Sequence, residues 1–61
     1  MAALLVVPGR WFRNRDSGLV CCCQRVKAPW VSVRYQHSKV DRRYSIECFV
    51  LSFESILNPT I

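Results

Sequence analysis

At 61 residues and 7.1 kDa, with a net charge of +5 and four cysteines, the chain is too short for two domains or for an enzyme that encloses a substrate of ordinary size. Chains of this length lean on disulfides, metals or partners, because ordering them costs about 1.5 kcal/mol per residue before any net stability appears. The hydrophobic fraction of 51% is ordinary for a globular protein and does not force disorder, so the informative feature is where the charges lie.

All nine basic residues (Arg10, Arg13, Arg15, Arg25, Lys27, Arg34, Lys39, Arg42 and Arg43) fall within residues 1–44, together with only two of the four acids, Asp16 and Asp41. Glu47 and Glu54 follow, with no further base. A globular surface normally mixes both signs; here the sign changes once along the chain, as expected of a basic arm that meets nucleic acid, an anionic membrane or an import machinery. The bases are dispersed rather than run together, which argues against a nuclear-type cluster.

In chain order, Met1–Val7 is apolar but short, and Pro8-Gly9 ends it. Its charges follow the apolar run instead of preceding it, the wrong order for a secretory signal. Gly18–Cys23 is equally brief, and neither run approaches the 18 or more residues of a membrane-spanning helix, so no transmembrane span is expected. Between them, Arg10 and Arg13 would share one helical face, with Trp11 on the other beside Leu4 and Val7. That predicts a short amphipathic helix starting or kinking at Pro8.

Ala28–Gln36 changes period. Val31, Val33 and Tyr35 alternate with Ser32 and Arg34, which predicts a short strand. Read alone it lacks a pairing partner and is expected to be extended rather than folded. In Ser45–Leu57, the residues Ile46, Phe49, Val50, Phe53, Ile56 and Leu57 recur at helical spacing over an arc of about 120°. Glu47 complements the dipole in the first turn, and Asn58-Pro59 is the predicted stop. Phe49, Leu51 and Phe53 also alternate, so a strand competes. The expected architecture is mostly disordered or small α, without an independent globular core. It divides into a basic segment at 1–44 and a helical tail at 45–61, whose stripe needs a partner or a membrane.

Candidate chemistry is sparse. Cys21, Cys22 and Cys23 are adjacent and lack the paired spacing of a zinc site; His37 and Cys48 would have to converge on them. No metal or other cofactor is expected, and neighbouring cysteines pair poorly as disulfides. The cluster lies beside basic residues and could carry an acyl anchor. His37 and Ser38 are not poised as base and nucleophile, so no enzyme is expected. Trp11, Phe12, Trp30 and Tyr35, interleaved with Arg10, Arg13, Arg15 and Arg34, are the raw material of an RNA- or ribosome-associated peptide.

The start Met-Ala-Ala-Leu-Leu, the scattered bases Arg10, Arg13, Arg15, Arg25, Lys27 and Arg34, and the scarcity of acids make residues 1–44 resemble a mitochondrial matrix-targeting presequence. Arg42-Arg43-Tyr44-Ser45 resembles the processing-peptidase pattern, and Arg34-Tyr35-Gln36-His37-Ser38 is a looser version of it. The resemblance implies import receptors and the processing peptidase as partners, a cut between Tyr44 and Ser45, and residence in the matrix or on the matrix face of the inner membrane. A potential of 100 mV is worth about 2.3 kcal/mol per charge drawn inward. Removing residues 1–44 would leave a seventeen-residue tail. On this reading the chain is a truncated precursor, or a very small subunit docking Ile46, Phe49, Val50, Phe53 and Leu57 on a larger organellar complex.

Overall fold

Side chains alternate between core and solvent at 20–23 and 30–33, and these stretches lie in two inner strands of a sheet. The computed structural model describes residues 5–58. Its elements are β1 (Trp11–Asn14), β2 (Val20–Lys27), β3 (Trp30–Tyr35), β4 (Asp41–Ser45), α1 (Ile46–Ser52) and β5 (Phe53–Ile56). The strands form one antiparallel sheet in the order β4-β3-β2-β1-β5, so the last strand returns to pair with the first.

The connections are short and locally specified. Asn14 Oδ1 accepts from the N–H groups of Asp16 (2.8 Å) and Ser17 (3.1 Å), an Asx turn that reverses the chain between β1 and β2. Gly18, at φ 76°, supplies the left-handed residue that closes it. Ala28 and the cis-bonded Pro29 form the two-residue turn between β2 and β3. Ser45 caps α1: its hydroxyl accepts from the Cys48 N–H at 3.2 Å, and Glu47 sits in the first turn as expected.

Laid flat, five strands about 4.8 Å apart would separate the two edges by about 19 Å. Yet the ring centroids of Tyr44 on β4 and Phe53 on β5 are 5.4 Å apart. The sheet therefore curls over its own core, and α1 spans the open side. A register shift between Cys23 and Arg25 marks the bulge in β2, the longest strand, where added twist helps the sheet turn. Inside lie Phe12, Cys21, Cys23, Val31, Val33, Phe49 and Phe53, all buried. Phe49 meets Phe12 edge-on at 5.0 Å and stacks on Phe53 at 4.2 Å. The Tyr35 and Tyr44 hydroxyls bond each other at 2.9 Å, so both phenols enter the core with a satisfied polar end.

This arrangement corrects the expected architecture. The chain is neither mostly disordered nor small α; it has its own core, made of side chains from all five strands and α1. The predicted strand at 28–36 is present as β3, and its missing partners are β2 and β4 of the same chain. The predicted leading helix is replaced by β1 over its arginine-tryptophan stretch, because β2 and β5 satisfy that backbone on both sides. The thirteen-residue helix predicted for Ser45–Leu57 is only seven residues long, and Phe53 leaves it with φ −122° and ψ 157°. From there Phe53–Ile56 pairs residue by residue with Asn14–Trp11, so the competing alternation prevails where an unpaired strand edge is on offer. Of the predicted stripe, Phe49 and Phe53 are core, Ile46 and Val50 are half-buried, Ile56 is half-buried in β5 and Leu57 is exposed. Met1–Leu4 and Pro59, which enter the predicted leading helix and stop, lie outside the described residues.

Candidate nucleic-acid interface

Alternation along the sheet sorts the polar residues as sharply as the apolar ones. Cross-strand partners share a face, so the register places Trp11, Cys22 and Arg34 in one row across β1, β2 and β3, flanked by Ile56 and Asp41. Arg25, Ser32 and Arg43 make the next outward row on β2, β3 and β4, and Lys27, Trp30 and Ser45 the one after it. Arg13 and Glu54 oppose each other on β1 and β5. The outer face thus presents two indoles among five cations.

Two of those cations are already neutralised. Arg13 pairs with Glu54, and Arg34 Nε donates to Asp41 Oδ1 at 2.7 Å. Among the described residues, Arg25, Lys27 and Arg43 pair with no carboxylate. The Arg43 guanidinium instead lies over the Trp30 ring, 4.8 Å from its centroid, a cation–π contact on an indole that is 43% exposed. Four residues of β3 at about 3.4 Å each set Trp30 about 14 Å along the strand from Arg34.

Two grooves open on the surface. One, of about 380 Å³, is lined by Trp11, Cys22, Gln24 and Arg34 together with Tyr35–Ser38 at the start of the β3–β4 turn. His37, at φ 70°, turns the chain there, and the Ser38 N–H returns to the Tyr35 carbonyl at 3.0 Å. The other, of about 520 Å³, lies along the β1–β2 turn. Asp16 and Glu54 in its wall balance Arg13 and Arg15, so the groove carries no net positive charge.

The residues singled out in the sequence scatter over this frame. Arg10 lies at the entry to β1 and reaches the Ser55 hydroxyl at 3.1 Å, while Arg15 sits in the exposed turn that follows β1. Arg13, Arg25, Lys27 and Arg34 share the outer face. Arg42 is exposed on the β4 edge, and Tyr44 and Ser45 close that strand, opposite Val31 and Trp30. Of the four aromatics read as stacking groups, Trp11 and Trp30 face outward, whereas Phe12 is core and Tyr35 points inward to Tyr44. Sequence reasoning missed Arg43 and Cys22 as partners of the indoles. No local signal marks either: Cys22 on β2 and Arg43 on β4 come beside the indoles only through cross-strand pairing.

The cysteine triplet divides by the same alternation. Cys21 and Cys23 are buried, beyond the reach of an acyl donor in the folded chain, while Cys22 is half-buried in the floor of the 380 Å³ groove. Burial is the main cause that pushes the Cys21 thiol up to about 12, with Cys22 and Cys23 adding to it; burial raises those two as well. These thiols stay protonated and act as small apolar groups. The described residues contain no group of His, Cys, Asp and Glu able to hold a metal ion, and no helix long and apolar enough to cross a membrane.

Comparison with protein-family models, curated proteins and solved structures finds no match to this chain.

Proposed function

We propose that this protein binds single-stranded nucleic acid on the outer face of its sheet. One observation carries the reading: Trp11 and Trp30 project from the same face as Arg25, Lys27 and Arg43, none of them paired with a carboxylate among the described residues. Indoles stack on bases without regard to sequence and cations neutralise phosphates, so the combination favours unpaired strands over duplex. Three phosphate contacts predict a log–log salt dependence of slope about −2 for a single strand. Fluorescence anisotropy with labelled oligouridylate checks this: reversing Arg25, Lys27 and Arg43 to glutamate is expected to abolish binding while leaving the far-UV spectrum unchanged. Unaltered binding by that triple variant, or equal affinity for duplex, overturns the reading.

A second reading is an address. The confinement of every base to residues 1–44 supports import into the mitochondrial matrix, with Arg10, Arg13, Arg15, Arg25, Lys27 and Arg34 serving the unfolded chain and the processing peptidase cutting after Tyr44. In the folded chain that bond ends β4, and cutting it separates β1–β4 from α1 and β5. The two readings are therefore alternatives for one molecule. Incubating the radiolabelled chain with energised mitochondria is expected, on the second, to yield a protease-protected product beginning at Ser45. Full-length material left outside under a sustained potential removes it.

A further inference from the structure

The row Trp11–Cys22–Arg34 has a shape of its own. Resting on the nucleic-acid reading above, we infer that it is a slot for one unstacked nucleobase, held between the Trp11 indole and the Arg34 guanidinium over the Cys22 thiol. The three residues are direct neighbours on β1, β2 and β3. Strands about 4.8 Å apart set the two planar groups about 10 Å apart at their roots, with a short side chain between them. A base sandwiched between two planes needs about 3.4 Å on each side, close to 7 Å in all. Asp41 draws the guanidinium toward β4 in the free protein, so closing the difference on a base falls to the flexible arginine stem when the ligand binds.

The walls suit that occupant. Asp41 Oδ1 holds Arg34 through Nε at 2.7 Å, which orients the guanidinium plane and leaves its terminal nitrogens for the ligand. Cys22 is half-buried, and its thiol donates to the Cys23 carbonyl, Sγ to oxygen 3.7 Å, which fixes a short side chain at the floor. Gln24, Gln36, His37 and Ser38 stand around the groove and offer both donors and acceptors to a base edge. At about 380 Å³ the groove falls in the ordinary range for small-ligand sites.

The protein has two tryptophans, so single-indole variants separate this slot from the rest of the face. In the full-length Trp30→Phe protein, oligouridylate is expected to quench Trp11 emission saturably. Trp11→Ala is expected to weaken binding about 5- to 140-fold, the range for losing one stacked base. Cys22→Phe fills the slot from an outward position and is expected to abolish the quenching. If that variant does not fold, alkylation of Cys22 in a Cys48→Ser background serves instead, because Cys21 and Cys23 are buried; oligouridylate is expected to slow it. Quenching confined to Trp30 in the Trp11→Phe protein, an unprotected Cys22, or wild-type affinity in folded Cys22→Phe overturns the slot and leaves the wider reading standing. No oligonucleotide binding by the wild-type protein overturns both.

Discussion

Replacing Phe49 by alanine is expected to unfold this protein at 25 °C. Phe49 is fully buried on the inner side of α1, edge-on to Phe12 at 5.0 Å, stacked on Phe53 at 4.2 Å and 6.2 Å from Tyr44. It is the ring through which the helix is joined to β1, β4 and β5 at once. Truncating a buried phenylalanine costs about 3–5 kcal/mol. A single core in a chain of this length rarely supplies more than about 3–5 kcal/mol altogether. Loss and total stability are therefore of the same size, and little or no net stability is left. Leu57→Ala is the matched control: the helical periodicity put Leu57 in the same apolar stripe, but it is 89% exposed, so its truncation is expected to change stability by no more than about 0.5 kcal/mol. Urea unfolding followed by circular dichroism reads both, and equal midpoints for the two variants would refute the core described above.

Alkali is expected to unfold the protein between about pH 9 and pH 12. Burial, with Cys22 and Cys23 beside it, pushes the fully buried Cys21 thiol from 9.0 to about 12. Burial, and then the hydrogen bond with Tyr44, pushes the Tyr35 phenol from 10.0 to about 12. Both groups are acids that ionise more readily in the unfolded chain. Below pH 9 neither state is ionised at these positions and stability is undiminished. As pH rises past 9 the unfolded state releases protons that the folded state retains, and stability falls until the folded pKa is reached. For Cys21 alone the loss by pH 12 is on the order of 4 kcal/mol. Tyr35 adds to it with the same sign. Equilibrium unfolding measured at a series of pH values checks this. Cys21→Val, which keeps the apolar side chain and removes the proton, is expected to move the transition upward, and a stability flat from pH 8 to pH 11 would contradict the burial of the thiol.

Parts of this architecture were open to reading in one dimension. The alternation of Val31, Val33 and Tyr35 with Ser32 and Arg34 identified β3, and the acidic first turn and the periodicity after Ser45 identified α1. Both signals are carried by neighbours within one or two turns of chain. β1 is ambiguous in the sequence because four residues, Trp11–Asn14, are too few to separate a period of 2 from one of 3.6. β2 is obscured in the sequence because its core positions are Cys21 and Cys23, small thiols that give no bulky apolar alternation. The end of α1 was misplaced because Phe53 satisfies both periods; pairing with Asn14, some forty residues earlier, decided between them.

The candidate site was legible only as a list of ingredients. Trp11, Trp30 and the arginines could be named from the sequence, but Phe12 and Tyr35 could not be set apart from them without knowing which way each strand faces. Cys22 became part of the site once β2 was seen to run between Trp11 and Arg34.

What the sequence determines unaided is therefore local: where the charges sit, which short stretches alternate and that a helix follows Ser45. The tertiary structure decides which of two periods each ambiguous stretch adopts and which side chains face water together. The reason is physical. A backbone edge such as that of β1 is satisfied only by a strand from the far end of the chain, and that long-range pairing outweighs the small differences in local preference that a short segment can express.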